Sequence, residues 1–332
     1  MKNKIGVWIA AAIMLPCIAT ISFLSVREAK EGGNIIFFVL GGRAKLCNTI
    51  ELPLSEMDEL QVTYGSKNLK VYPIEGDTVI IKEYLVSSRE TKADVEKSSD
   101  PATGRRIVTV TGGQARAITI FGMFNQGERI ELYIPKEGLT NLSLRAASGN
   151  ITTESDFALK TEELTIKTNS GNIKWNDSEA EKIHIQAGSG NITLGHMAGN
   201  LEVQTGSGNI KVNGSSGNIS MKAGSGNITA EELSGQGSME AVSGNIKADA
   251  FEITGDMSLK TSSGNIRLTL PEELSFQLQI QTGSGNIRTD FEEAVVYNKK
   301  GNQAEGTLGE NPSCLIQAEA NSGNVHIMRS GR

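Results

Sequence analysis

The chain has 332 residues, with 37 Gly against 7 Pro, 5% aromatic residues and a formal net charge of -6. That length is ample for a substantial core, while Asp and Glu (38) outnumbering Lys and Arg (32) excludes a net basic nucleic-acid footprint. The glycines follow no three-residue period, which excludes collagen, and three Cys and three His, no two of them close together, leave little material for a zinc site or a disulfide framework. No cofactor is expected.

The first element is a run without charge from Ile5 to Val26, preceded by Lys2 and Lys4 and followed by Arg27, Glu28, Lys30 and Glu31. At ~1.5 Å per helical residue it reaches ~33 Å, the thickness of a bilayer's hydrocarbon core. A cleaved secretory signal is the rival reading, but its apolar region is shorter and ends at a small-x-small site that is not found here. The charge flanks put residues 1–4 in the cytoplasm, 5–26 across the cell membrane and the rest outside it. Cys17 follows Pro16, which does not suit a lipoprotein processing site, so it reads as an apolar helix residue. Cys47 and Cys314 are then the exported thiols, either bridged or unpaired.

Residues 27–50 read as linker and first strand. From 51 to 147 the pattern is irregular but β-rich, with strands at Leu69 to Tyr72, Thr78 to Ile81, Ile107 to Val110 and Ile130 to Pro135. They are expected to form the first coils of the fold and to cap it. The charged stretch Ser87 to Arg106 reads as an exposed loop.

Over 148–328 an internal repeat dominates. Ser-Gly-Asn followed by Ile or Val recurs at Ser148, Ser170, Ser189, Ser207, Ser216, Ser225, Ser243, Ser263, Ser284 and Ser322, with weaker copies such as Ala198-Gly199-Asn200-Leu201 between them. Gly190, Gly199, Gly208, Gly217, Gly226, Gly235 and Gly244 are spaced nine apart at every step. Between the turns, stretches such as Leu201-Glu202-Val203-Gln204-Thr205 alternate apolar and polar, which marks short strands with one buried face. An antiparallel meander also fits that spacing, yet it has no need for the same side chains at every corner. A solenoid does, because stacking puts equivalent residues ~4.8 Å apart in ladders. The expected fold is therefore all-β: a single-domain β-solenoid with two short strands per coil of roughly 18 to 21 residues. It stands behind one N-terminal transmembrane helix, with about seven coils over ~35 Å from Gly149 to Gly285. Asn150, Asn172, Asn191, Asn209, Asn227, Asn245, Asn265 and Asn286 are expected to form a structural turn ladder. Asn298 to Pro312 reads as an insertion before the last strand, and 329–332 as a tail.

The residue after each motif Ile points outward: Thr152, Lys174, Thr193, Lys211, Thr229, Lys247, Arg267 and Arg288 on one side, Glu202, Ser220, Ser238 and Ser258 on the other. Lys174, Lys211, Lys247, Arg267 and Arg288 make a cationic stripe. It either keeps a flat sheet soluble or meets a polyanion, such as an anionic polymer or lipid headgroups of the cell envelope.

No catalytic residue is assigned. The acidic pairs Glu162-Glu163, Glu231-Glu232, Glu272-Glu273 and Glu292-Glu293 read as solvated turn charges, Trp175 is the one tryptophan outside the anchor, and His184, His196 and His326 share no spacing. Calcium-binding nonapeptides have the same period but place carboxylates where this chain has Asn.

The strand series, the Leu-x-Ile-x-x-x-Ser-Gly-Asn-Ile cadence and the anchor resemble the bacterial putative-adhesin family over roughly Glu51 to Met328, although members more often carry Ser-Gly-Asp at the turn. The resemblance implies a β-strand-repeat domain with no established activity, in some relatives associated with envelope stress systems. The expected function is that of a non-enzymatic, membrane-anchored extracytoplasmic β-solenoid acting as an envelope-associated binding or adhesin-like protein or as a stress-system accessory. Its expected partners are the cell membrane and an anionic envelope polymer or a membrane protein, and no nucleic acid. A carbohydrate-active β-helix enzyme or sugar-binding module is the alternative.

Overall fold

A computed structural model describes residues 43–86, 92–113, 127–154 and 158–331. The apolar span 5–26 and Cys17 lie outside them; among the described residues no helix is long and apolar enough to cross a membrane.

Alternating inward residues build two facing parallel ladders. On the motif face, the strand after each Ser-Gly-Asn turn pairs with its equivalent one coil away: Ile173 with Ile192, Ile192 with Ile210, Ile210 with Ile228, Ile228 with Ile246, and Ile246 with Ile266. On the opposite face Leu201 lies beside Ile219, Val203 beside Met221 and Thr205 beside Ala223. Pairing continues around the corners, so single strands such as Ile192–Ser207 and Ile210–Ser225 wrap from one face to the next. The core lies between the faces. Ile192, Leu194, Leu201, Val203, Ile210, Val212, Ile219 and Met221 are all buried, each worth about 1.5–3 kcal/mol. A coil cannot close this core alone. It buries its apolar residues only against the coils above and below.

The order of coils along the stack departs from the order in the chain at both ends. The N-terminal strands Glu59–Tyr64 and Asn68–Ile74 form one coil. Arg106–Thr111 and Arg129–Pro135 add outside it, and the chain then crosses back so that Asn141–Ala146 and Ile151–Thr153 add inside it. At the other end, Phe276–Ser284 and Ile287–Thr289 form the terminal coil, but not against the preceding Ile246–Ser263 and Ile266–Leu270. The last strands, Leu315–Ser322 and Val325–Arg329, slot between them. The seven-coil expectation from Gly149 to Gly285 therefore misses one coil, supplied by the end of the chain.

At both ends the strand next to the ladder runs the other way, namely Thr78–Leu85, Asp94–Ser99 and Gln303–Leu308, and Lys45–Pro53 and Val295–Tyr297 reverse again outside the first and last of these. Lys45–Pro53 and Thr78–Leu85 cover the N-terminal end of the motif face, Asp94–Ser99 covers the opposite face, and Gln303–Leu308 with Val295–Tyr297 covers that face at the C-terminal end. A reversed strand interrupts a parallel template. One loop expectation is corrected by these caps, since the Ser87 to Arg106 stretch contains the strand Asp94–Ser99, and the Asn298 to Pro312 insertion contains Gln303–Leu308. Charged outward residues hide Asp94–Ser99 from a hydrophobic-pattern reading, and a polar, glycine-containing composition hides Gln303–Leu308. At the C-terminal end Phe276 and Phe291 meet edge to face, with ring centroids 5.3 Å apart, and plug the core. Cys47, in the first edge strand, and buried Cys314, at the far end, are both free thiols, so no bridge joins them.

The turn glycines are required chiefly by close approach. A Cβ on Gly208 would lie 2.1 Å from the Gly190 carbonyl oxygen, and one on Gly226 1.8 Å from that of Gly208. Gly226→Ala is expected to lower stability by about 1–3 kcal/mol in urea unfolding. Gly65→Ala, whose Cβ would meet nothing within 4 Å, should change it by no more than about 0.5 kcal/mol. Equal effects would mean that the layers can spread.

Candidate functional site

Each turn asparagine sits over the next, and the contact is specific. The backbone N–H of Asn172 donates to Oδ1 of Asn150, Asn191 to Asn172, Asn209 to Asn191, Asn227 to Asn209, Asn245 to Asn227 and Asn265 to Asn245, all at 2.8–2.9 Å. The column then passes through Asn324 before reaching Asn286, and it starts one coil earlier at Asn68. Along Asn191 to Asn324 the Nδ2 of the next residue also donates to most of the same oxygens, at 3.1–3.3 Å. An amide can accept and donate at once, whereas stacked carboxylates would only accept and repel. A shorter column, Asn200, Asn218 and Gln236, runs along the other corner.

The outward residues of the motif face form a second column beside the asparagines. In stack order it reads Glu131, Lys70, Thr152, Lys174, Thr193, Lys211, Thr229, Lys247, Arg267, His326, Arg288. Lysine alternates with half-buried threonine as far as Lys247, and beyond it every coil presents a basic residue. Glu131 and Lys70 are members outside the repeat, and His326 follows the motif at Ser322 but takes its level in the column from the intercalated C-terminal strand. Lys211 approaches Glu231 at 3.6 Å and Lys247 approaches Asp249 at 3.0 Å. These half-exposed pairs are worth at most about 1 kcal/mol each. Asp249 also accepts from Thr269; burial raises its pKa, but the hydrogen bonds from Thr269 and Lys247 outweigh that and hold the carboxyl below its ordinary range. Like charges one coil apart, ~4.8 Å, repel by about 1 kcal/mol in water. The run from Lys247 to Arg288 concentrates that repulsion.

The column ends at its N-terminal side in an aromatic cluster. Tyr72 and Tyr133 stack with centroids 4.9 Å apart, Lys82 lies 4.5 Å over Tyr133, and Arg129 lies 4.0 Å over Tyr84. Burial would raise the pKa of Glu131, but hydrogen bonds from Arg129 and Tyr133 outweigh it and hold the carboxyl below its ordinary range. Burial and then the Glu131 contact push the Tyr133 hydroxyl up to about 12. Strand periodicity at Leu69 to Tyr72 and Ile130 to Pro135 places two of these tyrosines, but only their register brings the rings together.

The opposite face is mixed. His184, Glu202, Ser220, Ser238 and Ser258 lie in one column, with His184 Nδ1 3.0 Å from Glu202. In the column beside it Lys222 faces Glu240 at 3.8 Å and Lys260 faces Glu319 at 3.4 Å.

The acidic pairs occupy different levels of the stack. Glu162-Glu163 lie in the strand Leu159–Thr168, where Glu162 pairs with Arg105, rather than in a turn; Glu231-Glu232 stand at a corner; Glu292-Glu293 open a short 3-10 helix. Trp175 is a core residue, 1% exposed, its Nε1 donating to Ser178 Oγ, so it offers no sugar platform. Among the described residues no group of three His, Cys, Asp or Glu could hold a metal ion.

The Toastrack DUF4097 family profile matches residues 158–328. The chain belongs to the Toastrack DUF4097 family. The N-terminal coils before the match continue the same ladders. No curated protein matches the sequence. Similar solved structures include a "putative adhesin" of Parabacteroides merdae, 12% identical with a TM-score of 0.42, covering 86% of this chain and 96% of that one. A Bacteroides fragilis "putative adhesin" is 14% identical with a TM-score of 0.39, covering 87% and 100%.

One histidine of this Toastrack chain is placed to report on pH. His196 drapes across Gly214 to reach Glu232 at 3.3 Å, with Asp177 on its other side at 3.5 Å. The Glu232 hydrogen bond, followed by the Asp177 charge, outweighs partial burial and raises its pKa. A raised folded-state pKa means stability that is fully present below the unfolded value near 6.5 and lost as pH rises through the folded one. His196→Gln should therefore lower the unfolding temperature at about pH 5.5 but leave it unchanged at about pH 8.5. The same difference at both values would refute the charge contribution.

Proposed function

We propose that this Toastrack chain is a non-enzymatic binding scaffold, held at the outer surface of the cell membrane by residues 5–26. Its motif face engages an anionic polymer of the cell envelope. The observation that carries the reading is the basic and hydroxyl column of the motif face, unbroken from Lys70 to Arg288, set against the mixed charge of the opposite face. A rigid parallel stack holds these groups at a fixed ~4.8 Å repeat, so a polymer laid along it meets many weak contacts at once, and their sum sets the affinity. The resemblance to envelope-stress accessories is compatible with such a scaffold monitoring or organising the polymer.

The test uses the full chain in cell envelopes extracted with non-ionic detergent, which removes retention through the membrane span. The parent should stay with the insoluble polymer fraction. A variant carrying Lys211→Glu, Lys247→Glu, Arg267→Glu and Arg288→Glu should be released almost entirely. Equal retention of both would end the proposal.

A further inference from the structure

The basic column is not uniform, and its C-terminal end has features of a distinct site. Four consecutive coils present Lys247, Arg267, His326 and Arg288 in register. Beside them runs the Asn245, Asn265, Asn324 and Asn286 segment of the turn ladder, and between the two columns lies an open groove of about 490 Å³. Two acids flank the groove, beside Lys247 and His326 rather than beside the arginines. Asp249 pairs with Lys247 and accepts from Thr269, and Asp290 accepts the backbone N–H of Arg329 while lying 4.0 Å from His326. Arg267 and Arg288 are exposed and make no ion pair among the described residues, although the Arg267 charge is felt at Asp249.

Two free guanidinium forks stand two coils apart, ~10 Å, on a flat sheet. A guanidinium takes an oxyanion through two parallel N–H···O bonds, a geometry that a lysine cannot reproduce. The preceding coils use Lys and Thr at the equivalent positions, so both arginines fall where the column becomes continuously basic. The groove is open rather than enclosed, which suits a group presented by an extended chain.

We propose that this groove is a phosphate-binding site that takes successive phosphate groups of a phosphodiester-linked polymer, with Arg267 and Arg288 as bidentate ligands and His326 between them as an additional donor. The site rests on the anionic-polymer reading above and gives it a location and a chemistry. It also depends on the strand Val325–Arg329, which supplies His326, and on the turn before it, which supplies Asn324.

The full chain in neutral detergent is titrated at physiological salt with inorganic polyphosphate and, separately, with polyglutamate of equal charge. Polyphosphate should bind more tightly. Arg267→Gln with Arg288→Gln should weaken polyphosphate binding by at least about tenfold, because each lost fork removes a pair of charge-assisted bonds. Lys174→Gln with Lys211→Gln, the same charge change lower on the same column, should weaken it by less than about threefold. All four side chains are exposed, and matching thermal unfolding curves would verify that each variant folds. Equal losses in the two double variants, or equal affinity for the two polymers, would overturn the site while leaving general polyanion attraction in place. Absence of binding to either polymer would overturn both readings. Arginine-dependent capture of phosphatidylglycerol vesicles without polyphosphate binding would overturn the polymer as the phosphate source.

Discussion

The architecture depends on how closely one turn can lie on the next. With glycine in the turn, the backbone of one coil approaches the carbonyl of its neighbour to a distance that a Cβ would forbid. At that separation the asparagine side chain reaches the amide of the following asparagine. The two residues act together: glycine removes the steric barrier, and asparagine supplies an acceptor for the backbone N–H of the next turn. Apolar burial stabilises each coil, but it tolerates sliding, since Ile, Val, Leu and Met interchange along the interior columns. The turn hydrogen bonds fix the register, and through it the columns on both outer faces.

That register turns a modest composition into a surface. The chain is acidic overall, yet one face carries an ordered basic column because the repeat returns the same outward position to the same line. The opposite face meets like with unlike, Lys222 with Glu240 and Lys260 with Glu319. The motif face leaves its C-terminal arginines without such partners. Net charge describes none of this. What matters for binding is where the periodicity deposits each side chain.

The repeat was legible because nine residues, doubled, equals the coil in the central region, where equivalent isoleucines at 192, 210, 228 and 246 are 18 apart. The basic residues of the motif face could be read from the same arithmetic. Coil order could not. Ser322 to Val325 carries the motif as clearly as any other turn, but nothing local says that it enters between Asn265 and Asn286 rather than after them. Asn68 was hidden because Lys67 stands where glycine normally precedes the asparagine. The Asp94–Ser99 strand was hidden by its charge, and the tyrosine cluster by its dependence on pairing between segments distant in the chain.

The late return of Leu315–Ser322 and Val325–Arg329 to an interior slot sets a condition on biogenesis. A ribosome delivers these residues after the terminal coil and its reversed cap, which must wait, incompletely supported, until both strands have emerged. A product that stopped before Leu315 would hold an unfilled gap bounded by two templating edges. Such a product would be open to proteases and to strand exchange between molecules, so the topology makes completeness of the polypeptide a prerequisite for a sealed stack.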